Sequence, residues 1–263
     1  MMNRLIVLVA LLSSFAAHAA PRVLSSDADL QAVDFSKDRV VFIGETDHFD
    51  SKLLPVEMKI LEGIDASNKS ARKCLLLEAD PQFDEAFQVL SKSTAPDSLA
   101  KANAILDTHD LMTSTVHWIG DTYPLVQFEF AAKHGWTVRS GDMLRGKEYW
   151  DMVQNGNPSD EWSDYHVIYL RNRFMAKRVA QLLKSDCDLV VGLYGATHLS
   201  AIKPLPTFKV QIIPVPTLLE KAAIRSTTVF AVNPKSVLSS MWTNAPGQPR
   251  VREPDAIANV TAP

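Results

Sequence analysis

The chain has 263 residues, 46% of them hydrophobic and 22% charged, with a formal net charge of −3. That length is ample for one domain with a full core. The charge is mildly acidic and unpatterned, and the absence of any Lys/Arg-rich run argues against a nucleic-acid partner.

Asn3-Arg4 supplies a positive start, residues 5–12 an apolar core too short to span a bilayer, and Ala17-His18-Ala19 a small-x-small site before Ala20-Pro21. Together they read as a secretory signal peptide over residues 1–19, cut after Ala19. An uncut anchor is the competing reading, which the short core and the cleavage site disfavour. No Cys follows the cleavage site to take a lipid, and no second apolar stretch is long enough for stable membrane insertion. The expected location is exported, in a bacterial periplasm.

Residues 39–45, ending Phe42-Ile43-Gly44-Glu45, read as a buried strand. Residues 51–67 read as a helix, since Leu54, Met58, Leu61 and Ile64 recur at three and four. Residues 73–78 form a second strand, and Pro81 opens a helix through residue 90. Short helix broken by Pro96 fills most of 91–110, and residues 111–120 read as helical. A helix starting at Asp121-Thr122-Tyr123-Pro124 stops at Gly135. Residues 136–139 are a third strand, followed by Ser140-Gly141-Asp142; helix and then polar loop occupy 143–158. The longest helix spans 160–184, with Trp162, Tyr165, Tyr169, Met175, Val179 and Leu182 among its apolar positions. Strands are expected at 188–193, 208–215 and 226–232. From Asn233 onward the chain holds five of its fifteen prolines and little pattern, which predicts an irregular tail over 233–263.

Alternating strands and helices predict an α/β fold: a mostly parallel central sheet, helices on both faces, a single domain over 20–232, and a helical insertion where the early connections run long. Cys74 and Cys187 each open a predicted strand, at the end of the sheet opposite the strand tips discussed next. An exported protein permits a disulfide, but bridging needs Cα atoms within ~7 Å and hence near-neighbour strands. Two buried thiols are the alternative, and both readings stand.

In an open α/β sheet, ligands bind beyond the carboxyl ends of the strands. The first strand delivers Glu45 and His48 there, the second Glu78 and Asp80, the third Arg139 and Asp142, the fourth Tyr194 and His198. Singly, each has a bland reading: Glu45 as a helix cap, Glu78 as half of a bridge to Arg139, Asp142 as turn chemistry, His198 as a helix-start residue. Convergence gives the set its weight, because carboxylates at the ends of apolar runs are costly to bury unless paired or used. Two His and two Glu suit water activation by a His oriented by a Glu, a metal site on His48, His198, Glu45 and Glu78, or ligand binding without turnover. His-Glu-x-x-His, Gly-x-Ser-x-Gly and a phosphate-cradling Gly-rich loop are all absent.

Gly44-Glu45-x-x-His48, the Glu closing Leu75-Leu76-Leu77-Glu78, and Gly195-Ala196-Thr197-His198 resemble, in order, the motifs of the erythromycin-esterase, ChaN and TIKI superfamily. Arg171-Asn172-Arg173-Phe174-Met175-Ala176 is similar to a helix of ChaN-like members. The resemblance spans residues 39–215 and implies an α/β core with Glu45, His48, Glu78 and His198 facing one pocket. It adds Arg171 or Arg173 as a further polar contact; with Asp142 and Tyr194 from the strand ends, these are the candidate substrate-binding residues. Members include antibiotic esterases, metal-dependent peptidases and haem-binding proteins. The resemblance leaves the activity open, and the first reading is an exported hydrolase acting on an ester or peptide, with a divalent metal as an optional cofactor. The alternative is a periplasmic haem- or iron-binding protein with Tyr or His ligands and no turnover; a scaffold without chemistry is a third reading.

Overall fold

A computed structural model of the chain describes residues 21–47, 50–108, 124–143, 161–200, 213–236 and 254–259, with 161–167 described by backbone alone. Its seven strands are β1 (Arg22–Leu24), β2 (Val40–Glu45), β3 (Lys73–Leu77), β4 (Thr137–Ser140), β5 (Leu189–Gly195), β6 (Thr227–Val232) and β7 (Ala256–Asn259). They form one all-parallel sheet in the order β1-β7-β6-β2-β5-β3-β4. The expected α/β architecture is the one present.

Strand alternation explains why both faces need helices. Val41, Ile43, Leu75, Leu77, Val191, Leu193 and Val229 point to one side. There they pack against α1 (Asp27–Gln31), α2 (Leu54–Ser67), α3 (Asp84–Leu90), α4 (Pro96–Asp107) and α5 (Leu125–His134). Val40, Phe42, Leu76, Val190, Tyr194 and Phe230 point to the other. They meet α6 (Glu161–Ser185), α7 (Ala196–Ser200) and α8 (Val215–Lys221). Strands buried on both faces must be apolar throughout, and for that reason β2, β3 and β5 stand out as continuous runs. Helices α3 to α5, all between β3 and β4, are the expected insertion. Gly135 closes α5 in the left-handed conformation, φ 69°, as its position predicts.

Two readings need correction, and one strand was not read at all. The chain beyond Asn233 is not irregular throughout: Ala256–Asn259 joins the sheet as β7, bridging β6 and β1. Val215 opens a helix rather than ending a strand, with Pro214 and Pro216 at its start, where proline suits a first helical turn. The tip β1 was not anticipated. Readings on residues 1–19, 111–120 and 144–158, and on most of 208–215, lie outside the described residues.

Cys74 and Cys187 are bridged, with Cα atoms 5.9 Å apart. Cys74 lies on β3 and Cys187 just before its neighbour β5, so the bridge ties adjacent strands at their amino ends. Beside it Arg72 holds Asp188 through Nε at 3.2 Å and a second guanidinium nitrogen at 2.9 Å.

The topology also fixes where a crevice opens. From β2 the chain crosses one face through α2 and passes β5 to reach β3. From β5 it crosses the other face through α7 and α8 and passes β2 to reach β6. The loops after β2 and β5 therefore diverge, and their carboxyl ends form a topological switch point.

Candidate functional site

Glu45 ends β2 at that switch point, paired in register with Gly195 of β5 and Ala231 of β6. Gly44 must be glycine for packing reasons: a Cβ there would stand 2.5 Å from the Phe230 ring. The next residues are pinned to the segment after β6. Thr46 Oγ1 donates to Ala231 O (2.8 Å), Ser236 Oγ to Asp47 Oδ2 (2.8 Å), and Asn233 Nδ2 to Asp50 Oδ2 (2.5 Å). His48 lies outside the described residues, but the chain on both sides of it is anchored. Asn233 and Ser236 were missed because they fall in the stretch read as tail.

Glu78 follows β3 directly. The amides of Ala79 and Gly141 both donate to Leu77 O (2.7 Å each), and Asp142 N donates to Ala79 O (3.0 Å), which locks the ends of β3 and β4 together. The Glu78 carboxylate then reaches across to β5: Oε2 accepts from Gly195 N (2.8 Å). Oε1 accepts from the Arg171 guanidinium and lies 3.3 Å from His198 Nε2. Glu45 and Glu78 thus flank the same residue, Gly195, and His198 follows in α7.

Arg171 comes from the middle of α6. Its Nε contacts both Asp142 oxygens (3.1 and 2.9 Å) and a terminal nitrogen reaches Oδ2 at 2.5 Å. The Asp142 side chain is fully buried and also accepts from Met143 N (2.8 Å). Glu78 pairs with this arginine and not with Arg139, as the sequence suggested: a guanidinium from a helix crossing the strand ends can serve two carboxylates at once.

His198 is buried and its Nδ1 sits 2.5 Å from Asn172 Oδ1. Asn172, also buried, donates through Nδ2 to Ile213 O (2.9 Å). Asn172 is a further site residue that strand-end reasoning did not single out; its adjacency to Arg171 in the Arg171-Asn172 pair was the available signal.

Set against solved structures, the fold has relatives. The fold is similar to that of ChaN of Campylobacter jejuni. That protein, known from a structure describing cofacial haem binding, aligns with a TM-score of 0.50 at 16% identity, over 74% of this chain and 82% of its own. The type III effector HopBA1 aligns with a TM-score of 0.46 at 13% identity, over 92% of this chain and 95% of its own. No family model and no curated protein sequence matches the chain.

Two candidates do not join the site. Arg173 is exposed, and its guanidinium contacts Tyr169 one turn earlier, donating to the hydroxyl at 3.0 Å and lying 5.5 Å from the ring. It is one residue away from the buried Asn172, so helical geometry turns it to solvent. Tyr194 is wholly buried beneath the Gly141 turn, its hydroxyl donating weakly to Gly141 O (3.4 Å). Burial holds the phenol well above the ordinary tyrosine range, and the Asp142 and Glu78 carboxylates add to this. It supports the site from below and cannot touch a substrate.

Among the described residues no three His, Cys, Asp or Glu side chains form a metal-holding group. Both Glu78 oxygens already accept from donors, and His48, one of the four expected metal ligands, lies outside the described residues. The described residues do not fit haem: Tyr194 is buried as the phenol, and both ring nitrogens of His198 face oxygen atoms at short range. What the arrangement can do is hold a carboxylate and an imidazole edge to edge, with one arginine supplying positive charge to both carboxylates.

Proposed function

We propose that the chain is an exported hydrolase acting on an ester or peptide bond. In this reading His48 takes a proton from water, Glu45 or Glu78 orients it, and the hydroxide formed attacks the substrate carbonyl; the tetrahedral adduct then collapses, the ester C–O or amide C–N bond breaks, and the departing alcohol or amine takes the proton from His48. His198 stabilises the charge that develops on the carbonyl oxygen. The observation that carries the proposal is the Glu78–His198 contact of 3.3 Å at the switch point of a parallel sheet, with each partner fixed by further hydrogen bonds. A site held this firmly suits catalysis, which rewards preorganised polar groups. No step runs through a metal. The Cys74–Cys187 bridge supports export, because such bridges persist in oxidising compartments.

The test is turnover of a panel of esters, lactones and peptides by the chain starting at Ala20. His48→Ala and His198→Gln should each lower kcat by about 10²-fold or more. His48→Ala variants with full activity would sink the mechanism. Haem capture without turnover is the second reading, favoured by the fold shared with ChaN. It predicts a Soret shift on titrating haemin into the apo-protein, and its iron ligands would have to come from outside the described residues.

A further inference from the structure

The amide of Asn172 has only one orientation that satisfies both its ends. Nδ2 donates to the carbonyl of Ile213 at 2.9 Å. Flipping the amide would set two carbonyl oxygens against each other and leave Nδ2 facing His198. Oδ1 therefore faces His198 Nδ1, at 2.5 Å, and an oxygen without hydrogen can only accept there. The ring must carry a proton on Nδ1. That leaves Nε2 as the nitrogen turned toward Glu78 Oε1, 3.3 Å away, on a carboxylate that also accepts from Arg171 and Gly195 N.

Without Asn172 the neutral ring would choose differently. Nε2 faces a carboxylate, the stronger acceptor, so the single proton would move there and Nε2 would be closed as a proton acceptor. We propose that Asn172 is a positioning residue that holds a proton on Nδ1 of His198 and so leaves Nε2, beside Glu78, to take up and deliver the second proton that it needs in order to donate to the developing oxyanion. The proposal deepens the hydrolase reading and rests on it for what Nε2 does. The tautomer itself follows from the hydrogen bonds alone.

Two variants separate this role from support of the fold. Asn172→Leu removes both the acceptor for His198 and the donor to Ile213. Asn172→Asp replaces the donor to Ile213 with a second oxygen and adds a buried charge, and keeps an oxygen on Nδ1. Two-bond proton–nitrogen correlation spectra of ¹⁵N-histidine protein, with the His198 ring assigned by loss in His198→Gln, read the tautomer directly. In the wild type the ring should be protonated at Nδ1, alone or together with Nε2. In Asn172→Leu the neutral ring should carry its proton on Nε2, and Asn172→Asp should retain Nδ1–H. On a substrate, Asn172→Leu should lose about 10²-fold in kcat with KM little changed, and Asn172→Asp should fall by less than about 10-fold. A wild-type ring protonated at Nε2 alone overturns the proposal, whatever the variants do. Equal losses of kcat in the two variants, tracking a common loss of stability, overturn it as well. If no substrate is ever turned over, the hydrolase reading fails while the spectra still decide the role of Asn172.

Discussion

Reducing the Cys74–Cys187 bridge isolates one term in the stability of the fold. The bridge joins positions 113 residues apart, so opening it restores loop freedom to the unfolded chain. For a loop of that length the chain-entropy relation gives about 16 cal/mol/K, or about 5 kcal/mol at 25 °C. Typical domains have only about 5–15 kcal/mol in total, so the reduced protein should sit near the edge of stability. Both sulfurs are buried, so reduction requires unfolding in reductant and refolding under it. Urea curves of oxidised and reduced protein, followed by tryptophan fluorescence, then compare the same atoms with and without one bond. Because the bridge lies at the amino ends of β3 and β5, opposite Glu78 and His198, the residual folded protein should keep the His198 tautomer. A loss below about 1 kcal/mol would refute the entropic account, and a changed tautomer would refute the separation of bridge from site.

Arg171→Met removes the guanidinium that bridges the buried Asp142 and half-buried Glu78 carboxylates and should cost about 3–5 kcal/mol in urea unfolding; Arg171→Lys, which keeps charge but not the fork, should fall between. Glu78→Gln should lower stability as well as turnover, since both oxygens accept hydrogen bonds. Gly141→Ala places a Cβ 2.4 Å from the Tyr194 hydroxyl and should cost about 1–3 kcal/mol. Adding Tyr194→Phe should recover part of that loss, which a double-mutant cycle measures. Asp188 titrates at about 2 because Arg72 hydrogen-bonds it. Its folded value lies below the ordinary 3.8, so its contribution is present above that range and fades as pH falls from about 4 through about 2. Arg72→Gln should return the Asp188 carboxyl, followed by NMR, toward 3.8.

What could be read in the chain beforehand follows from how each feature is encoded. The central strands were legible because burial on both faces forces an uninterrupted apolar run, as in Val40 to Ile43. Their tips then located Glu45, Glu78 and His198. The edge strand β1 and its neighbour β7 were not legible: each spans three or four residues and exists through pairing with a neighbour far along the chain. The ion pair of Glu78 was misassigned for the same reason. Arg171 lies 93 residues away and reaches the site by helix packing, which leaves no local signal. Asn172 and Arg173 are neighbours in a motif, yet only their angular placement on α6 tells the buried positioning residue from the solvent-facing one.

The most direct test of the central claim, that this strand-end cluster activates water, is isotope transfer. Wild-type protein and the His198→Gln variant would be incubated with ester and peptide panels in H₂¹⁸O, and the acid products weighed by mass spectrometry. The account predicts ¹⁸O in the acid product of at least one substrate class with the wild type, reduced by about 10²-fold or more in the variant. Label transfer that is absent from the wild type, or equal in both proteins, would contradict it.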